Sequence, residues 1–145
     1  MTTADNRISP RSRIFHPRLE HRSPIPAGVR IGDMIFSSAI TGKDPATGRL
    51  HLDPHTQISQ AFTNLDSFLD AAGITVDHIG HMTVFLQDLA DRAIVNQEWE
   101  RRFPDPDNRP ARHAIVTPLA DFHEELRVQL EIIAVATPRG DRTLE

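Results

Sequence analysis

A chain of 145 residues with 39% hydrophobic and 25% charged residues has the composition of one folded domain, not of a disordered polymer. Its formal net charge of −4 and isoelectric point near 6.0 supply no overall basic field for nucleic acid or anionic lipid. The absence of cysteine excludes disulfides and thiolate chemistry. No apolar run reaches the ~18–20 residues of a membrane span, and none opens the chain as a signal peptide would, so a cytoplasmic location without membrane partners is expected.

Residues 1–22 lack hydrophobic periodicity and carry Arg7, Arg11, Arg13, Arg18 and Arg22 against Asp5 and Glu20. They read as a flexible N-terminal arm. One domain is expected over 23–137, followed by a tail at 138–145. The short apolar run from Val29 to Ser38 suits strands, with Gly32-Asp33 as a hairpin turn. Residues 42–48 are dense in turn formers and read as a loop. Ile58, Phe62, Leu65, Phe68, Leu69 and Ala72 then recur at helical spacing, with Thr56 as N-cap and Gly73 as the stop.

Met82, Val84 and Leu86 alternate with His81, Thr83 and Phe85, the pattern of a strand. A second helix is predicted from about Arg92 to Phe103, with Ile94, Val95, Trp99 and Phe103 on one side. Pro104 ends it by pushing the preceding residue out of helical geometry. Residues 111–117 and 126–136 complete the pattern as strands. In the last one, Leu126, Val128, Leu130 and Ile132 alternate with Arg127, Gln129 and Glu131. The order β-β-α-β-α-β-β predicts an α+β fold with two helices on one face of a mixed sheet.

Eight histidines raise the question of a metal. His51 and His55 flank Asp53, but Pro54 interrupts the helix that would align them. His78 and His81 fall three apart in a segment read as strand, which sends them to opposite faces. No HExxH-like pattern is present, and no metal is expected.

Several segments resemble the RidA/YjgF family, in order and with matching gaps across residues 23–136: GDMIFSSAI at 32–40 with DPATG at 44–48, Ala71-Ala72-Gly73, HMTVFLQDL at 81–89, Val95-Asn96 with Trp99 and Phe103, Pro110-Ala111-Arg112, and VQLEIIAVA at 128–136. The resemblance implies a chorismate-mutase-like fold, a homotrimer whose sheets line a central barrel, and ligand clefts between subunits. It also implies hydrolysis of reactive 2-enamines and imines to 2-keto acids and ammonia, without metal or organic cofactor.

On that resemblance Arg112 binds the substrate carboxylate, a task for which a planar fork of donors is suited and a lysine is not. Without the family context, an isolated arginine of this kind reads as a surface ion pair. The family's water-orienting glutamate is matched by Gln129, an amide that can hold water but takes no proton at neutral pH. Glu131, two residues on, shares its face and reads as a structural or interface carboxylate. The family's tyrosine is matched by Ile25, its glycine and glutamine by Ala39 and Ile40, and its frequent cysteine by Ala114. Such a cleft is more apolar and suits a bulkier ligand. Backbone N–H groups near Ala39 and Ala114 remain available to a ligand. Ser38 is a hydrogen-bonding candidate, and Asn96 either contacts ligand or ties its helix to a loop; Trp99 and Phe103 read as core.

Two functions remain open: a deaminase of imino acids with altered specificity, and a non-catalytic trimer that binds small carboxylates or keto acids. A ribonuclease, also associated with this family, is disfavoured by the acidic balance, with only the N-terminal arginines in its favour.

Overall fold

The structure, a computed structural model, describes residues 9–136. The expected tail at 138–145 and the first eight residues of the arm lie outside the described residues. Seven strands form one sheet: β1 (Arg11–Ile14), β2 (Gly28–Ile31), β3 (Met34–Ser37), β4 (Ile40–Thr41), β5 (Ile79–Leu86), β6 (Ala111–Val116) and β7 (Val128–Val135). Among the described residues two α-helices accompany them, α1 (Pro54–Ala72) and α2 (Arg92–Arg102). The strand order is β1-β2-β3-β7-β5-β6, with β4 also paired to β7. β6 lies parallel to β5, as a crossover through α2 requires, and every other pairing is antiparallel.

Period-two alternation decides which face is buried. Met82, Val84 and Leu86 of β5 and Val128, Leu130, Ile132 and Ala134 of β7 are fully or almost fully buried. They share one core with Ile58, Phe62, Leu65 and Phe68 of α1 and with Val95 and Trp99 of α2. Both helices therefore cover one face, as the sequence predicts. Among the described residues no helix lies on the other face: Ile133 and Val135 remain 40% and 44% exposed, and Gln129 and Glu131 lie on the same side.

Helix α1 starts earlier than predicted. Asp53, not Thr56, is its N-cap, accepting from the Thr56 N–H and hydroxyl at 2.9 Å each. Pro54 opens the helix instead of breaking it, because the first turn has no use for its missing N–H. Gly73 closes it in the left-handed region at φ 75°, as expected. The Gly32 turn is likewise as read, with φ 58° between β2 and β3.

The arm requires correction. Arg11–Ile14 pairs with β2 as an edge strand, and Ile14 is buried in the core. A four-residue strand with a single apolar side chain leaves no period to detect in sequence. Its arginines instead give the sheet a charged edge, which discourages pairing with another chain. His78 also departs from the strand reading: it ends a short 3₁₀ turn at Val76–His78, where its ring accepts from the Thr75 N–H at 3.1 Å.

Polar side chains of α1 hold the segment that leaves β4 and the one that leads into β7. Buried Asn64 donates to the carbonyls of Thr41 and Lys43 at 2.8 Å each. Buried Gln57 donates to the carbonyls of His51 and Glu125 and accepts from the Arg127 N–H at 2.7 Å. Gly42 passes so close to Gln57 that a Cβ there would stand 2.0 Å from its carbonyl oxygen.

Candidate functional site

Arg112 sits in β6, the last strand of the sheet path, in register with Met82 of β5, whose own cross-strand partner is Ile132. Met82 and Ile132 are core residues, so Arg112 points to the helix-covered face, toward α2. Its Nη2 donates to Asn96 Oδ1 at 2.7 Å, and its guanidinium carbon lies 4.9 Å from the centre of the Trp99 ring. Asn96 and Trp99 are three apart on α2 and so share a helix face. That face is a mount for the guanidinium, an amide on one edge and an aromatic plane against it. Phe103 backs the mount, its ring centre 4.7 Å from that of Trp99.

What the mount leaves undone matters most. Arg112 Nη1 is buried and has no hydrogen-bond partner among the described residues. No described carboxylate forms an ion pair with Arg112, although acids are close by in the chain. Asp91 is taken by Arg127 at 2.8 Å, and Glu98 by Arg101 and Arg102 at 2.8 Å each. Burial, and then the charge of Arg92, push the Arg112 guanidinium below its ordinary pKa. An arginine nevertheless stays protonated at neutral pH. An unpaired donor inside a fold costs about 1–3 kcal/mol, so the site is better suited to accepting an anion than to stability.

The other predicted residues divide between this place and others. Ala114 follows Arg112 on the same face of β6 and packs against the core. Asn96 tethers Arg112 in place of the loop foreseen for it. Trp99 is core, as read, and is also the surface on which the guanidinium rests. Gln129 pairs with Phe85, which pairs with Ile115, so it projects from the face opposite Arg112. Ser38 and Ala39 form the break between β3 and β4, both of which pair with β7. Ile25 is exposed just before β2. It borders a cavity of about 410 Å³ that Arg13, Glu20 and His21 also line. Four strand spacings of ~4.8 Å, or ~19 Å, separate β2 from β6. One chain thus unites Arg112, Asn96 and Ala114, and keeps Gln129, Ser38, Ala39 and Ile25 apart from them.

Sequence reasoning missed two supports. Ser37, adjacent to the predicted Ser38, accepts from the Ile132 N–H at 2.9 Å and fills the ladder where β3 gives way to β4. Buried Glu98 joins Arg102, which grips Asp66 of α1 at 2.8 Å, locking α2 against α1 and hence fixing the Arg112 mount. The i,i+4 spacing of Glu98 and Arg102 was the available signal. Among the described residues no group of acids and histidines suits a metal ion, and no helix is long and apolar enough to cross a membrane.

The described residues thus form an α+β domain with two helices on one face of a mixed sheet, carrying a braced guanidinium without an ion-pair partner on an outer strand. The family described as Endoribonuclease L-PSP matches residues 18–137. The 2-iminobutanoate/2-iminopropanoate deaminases of Salmonella typhimurium and Escherichia coli K12 are each 34% identical to this chain over 113 residues, spanning 77% of it and 87% of their own length. The crystal structure of the Escherichia coli YjgF gene product superposes with a TM-score of 0.76 at 30% identity, covering 87% of this chain and 99% of that one. Escherichia coli TdcF with bound serine gives 0.76 at 27% identity, covering 87% and 100%. The chain belongs to the RidA/YjgF family.

Proposed function

We propose that this protein hydrolyses reactive 2-imino acids to 2-keto acids and ammonia, with Arg112 holding the substrate carboxylate. The observation that carries the reading is the braced guanidinium with a buried, unpaired Nη1 and no ion pair to any described carboxylate. The relatives named as 2-iminobutanoate/2-iminopropanoate deaminases supply the reaction class. A carboxylate fixed on Arg112 would hold the adjacent C=N carbon in one place, and water adds to that carbon. The proton lost by the water ends on nitrogen, the C–N bond of the resulting carbinolamine breaks, and ammonia departs from the keto acid. None of these steps calls for a cofactor.

Gln129 and Arg112 leave the sheet on opposite faces, so both can serve one ligand only if different chains contribute them. A homotrimer packed through the open face, with clefts between subunits completed by Ile25, Ser38 and Ala39, meets that requirement. Gln129 there orients water through its amide, while proton transfer falls to solvent or to the substrate. The test is ammonia release from the imines of 2-aminobutyrate and larger amino acids, generated in situ. Wild type should accelerate release, and Arg112→Ala should lose about 10- to 100-fold, the worth of a charge-assisted bond. No acceleration across the panel refutes the catalytic reading.

One observation favours a second reading. Gln129 stands where the resemblance places a proton-relaying glutamate, consistent with a trimer that only binds keto acids. Binding of 2-oxobutyrate without imine hydrolysis, together with deaminase activity gained by Gln129→Glu, would establish that reading.

A further inference from the structure

Helix α2 presents a second cation to the same place. Arg92 is its first residue, four before Asn96 and seven before Trp99, and so lies on the face that holds Arg112. Arg92 is exposed, and among the described residues it has no ion pair or side-chain hydrogen bond. Its charge is near enough to Arg112 to disfavour the second guanidinium's protonated form. The helix adds to the imbalance, since its N-terminus bears partial positive charge, and a cation there is unfavourable. The first turn of α2 contains no acid. Asp91, at the N-cap, makes no capping bond and turns its carboxylate to Arg127. Glu98 is engaged by Arg101 and Arg102. Three positive features therefore converge on one patch, while Asp91 and Glu98, the acids of the N-cap and of the buried helix side, are engaged by other arginines.

Such an arrangement opposes itself in the free protein and is relieved by negative charge brought from outside. One carboxylate on Arg112 neutralises half of it. We infer that Arg92 and Arg112 together bind a dianion, and that the preferred ligands are the 2-imino and 2-keto derivatives of acidic amino acids. The α-carboxylate is held by Arg112 and the side-chain carboxylate by Arg92. This rests on Arg112 being the carboxylate site, and it adds the substrate class. The apolar replacements at Ile25 and Ala39 do not oppose it, because within one chain they lie away from the helix face that carries the second charge.

The discriminating pair is 2-oxoglutarate and 2-oxopentanoate, which share a chain length and differ in one carboxylate. Calorimetry on the full chain at fixed ionic strength should show 2-oxoglutarate binding at least ~10-fold more tightly, in keeping with one added charge-assisted contact. In Arg92→Gln that ratio should fall to near one, and in Arg92→Glu it should invert. A ratio unchanged in both Arg92 variants, or a wild-type preference for 2-oxopentanoate, overturns the inference. Failure of the underlying reading looks different: both acids then bind Arg112→Gln as well as wild type.

Discussion

If the Arg112 guanidinium is kept for a ligand and not for the fold, removing it should cost little stability and nearly all binding. Arg112→Met retains the length of the stem, so packing along β6 is largely preserved. It loses the 2.7 Å bond to Asn96, worth about 1.5–3 kcal/mol as a charge-assisted contact, and the attraction to the Trp99 ring, about 0.5–2 kcal/mol. Against that it removes a buried donor without a partner, which costs about 1–3 kcal/mol, and the repulsion of Arg92. At the midpoints the losses exceed the donor's cost by about 1.5 kcal/mol, and relief of the Arg92 repulsion trims this to a net destabilisation of about 1 kcal/mol. Urea unfolding at fixed protein concentration measures this directly. Repeating it with a keto acid at about a hundred times its Kd should raise wild-type stability by about 2.7 kcal/mol and leave Arg112→Met unmoved. A variant destabilised by more than about 3 kcal/mol, or one still stabilised by ligand, would refute the reasoning and make Arg112 a structural residue.

Two further outcomes test the frame around the site. Gly42→Ala should destabilise by about 2–3 kcal/mol or more, because the new Cβ would collide with the Gln57 backbone and not with a yielding side chain; a loss under 1 kcal/mol by denaturation would show that the loop can move away. His21 has its pKa lowered chiefly by burial, with Glu20 opposing and Lys43 assisting the shift. The unfolded chain therefore takes up that proton first, and stability should fall as pH drops from its ordinary 6.5 to the depressed folded value, with no further loss from this group below it. His21→Gln should flatten that part of a stability–pH curve, and an unchanged slope would dismiss His21 as its source.

Much of the scaffold was legible because local rules sufficed. The apolar stripe of α1, the Gly73 stop, the Gly32 turn and the alternation of β7 each follow from spacing within a few residues. β1 and β4 were not legible, since four residues with one apolar side chain, or two residues alone, carry no periodicity. Asp53 displaced Thr56 as the cap because a proline at the first helical position moves the boundary by a turn. At the candidate site, the Pro-Ala-Arg context singled out Arg112, whereas nothing in the sequence marked its mount. Asn96 and Trp99 face it only because the β5–β6 register sets which side of β6 looks at α2. The same register puts Gln129 on the far side of the sheet, a relation between distant strands that no single segment encodes.

Trp99 has a practical consequence. It is the chain's single tryptophan, tyrosine is absent altogether, and the indole lies directly against the Arg112 guanidinium. Light absorbed at the red edge of the protein band is thus emitted from one position, beside the Arg112 cation, the proposed carboxylate anchor. Its colour and intensity form a built-in optical gauge of occupancy, readable in a stopped-flow cell without dye, label or coupled enzyme.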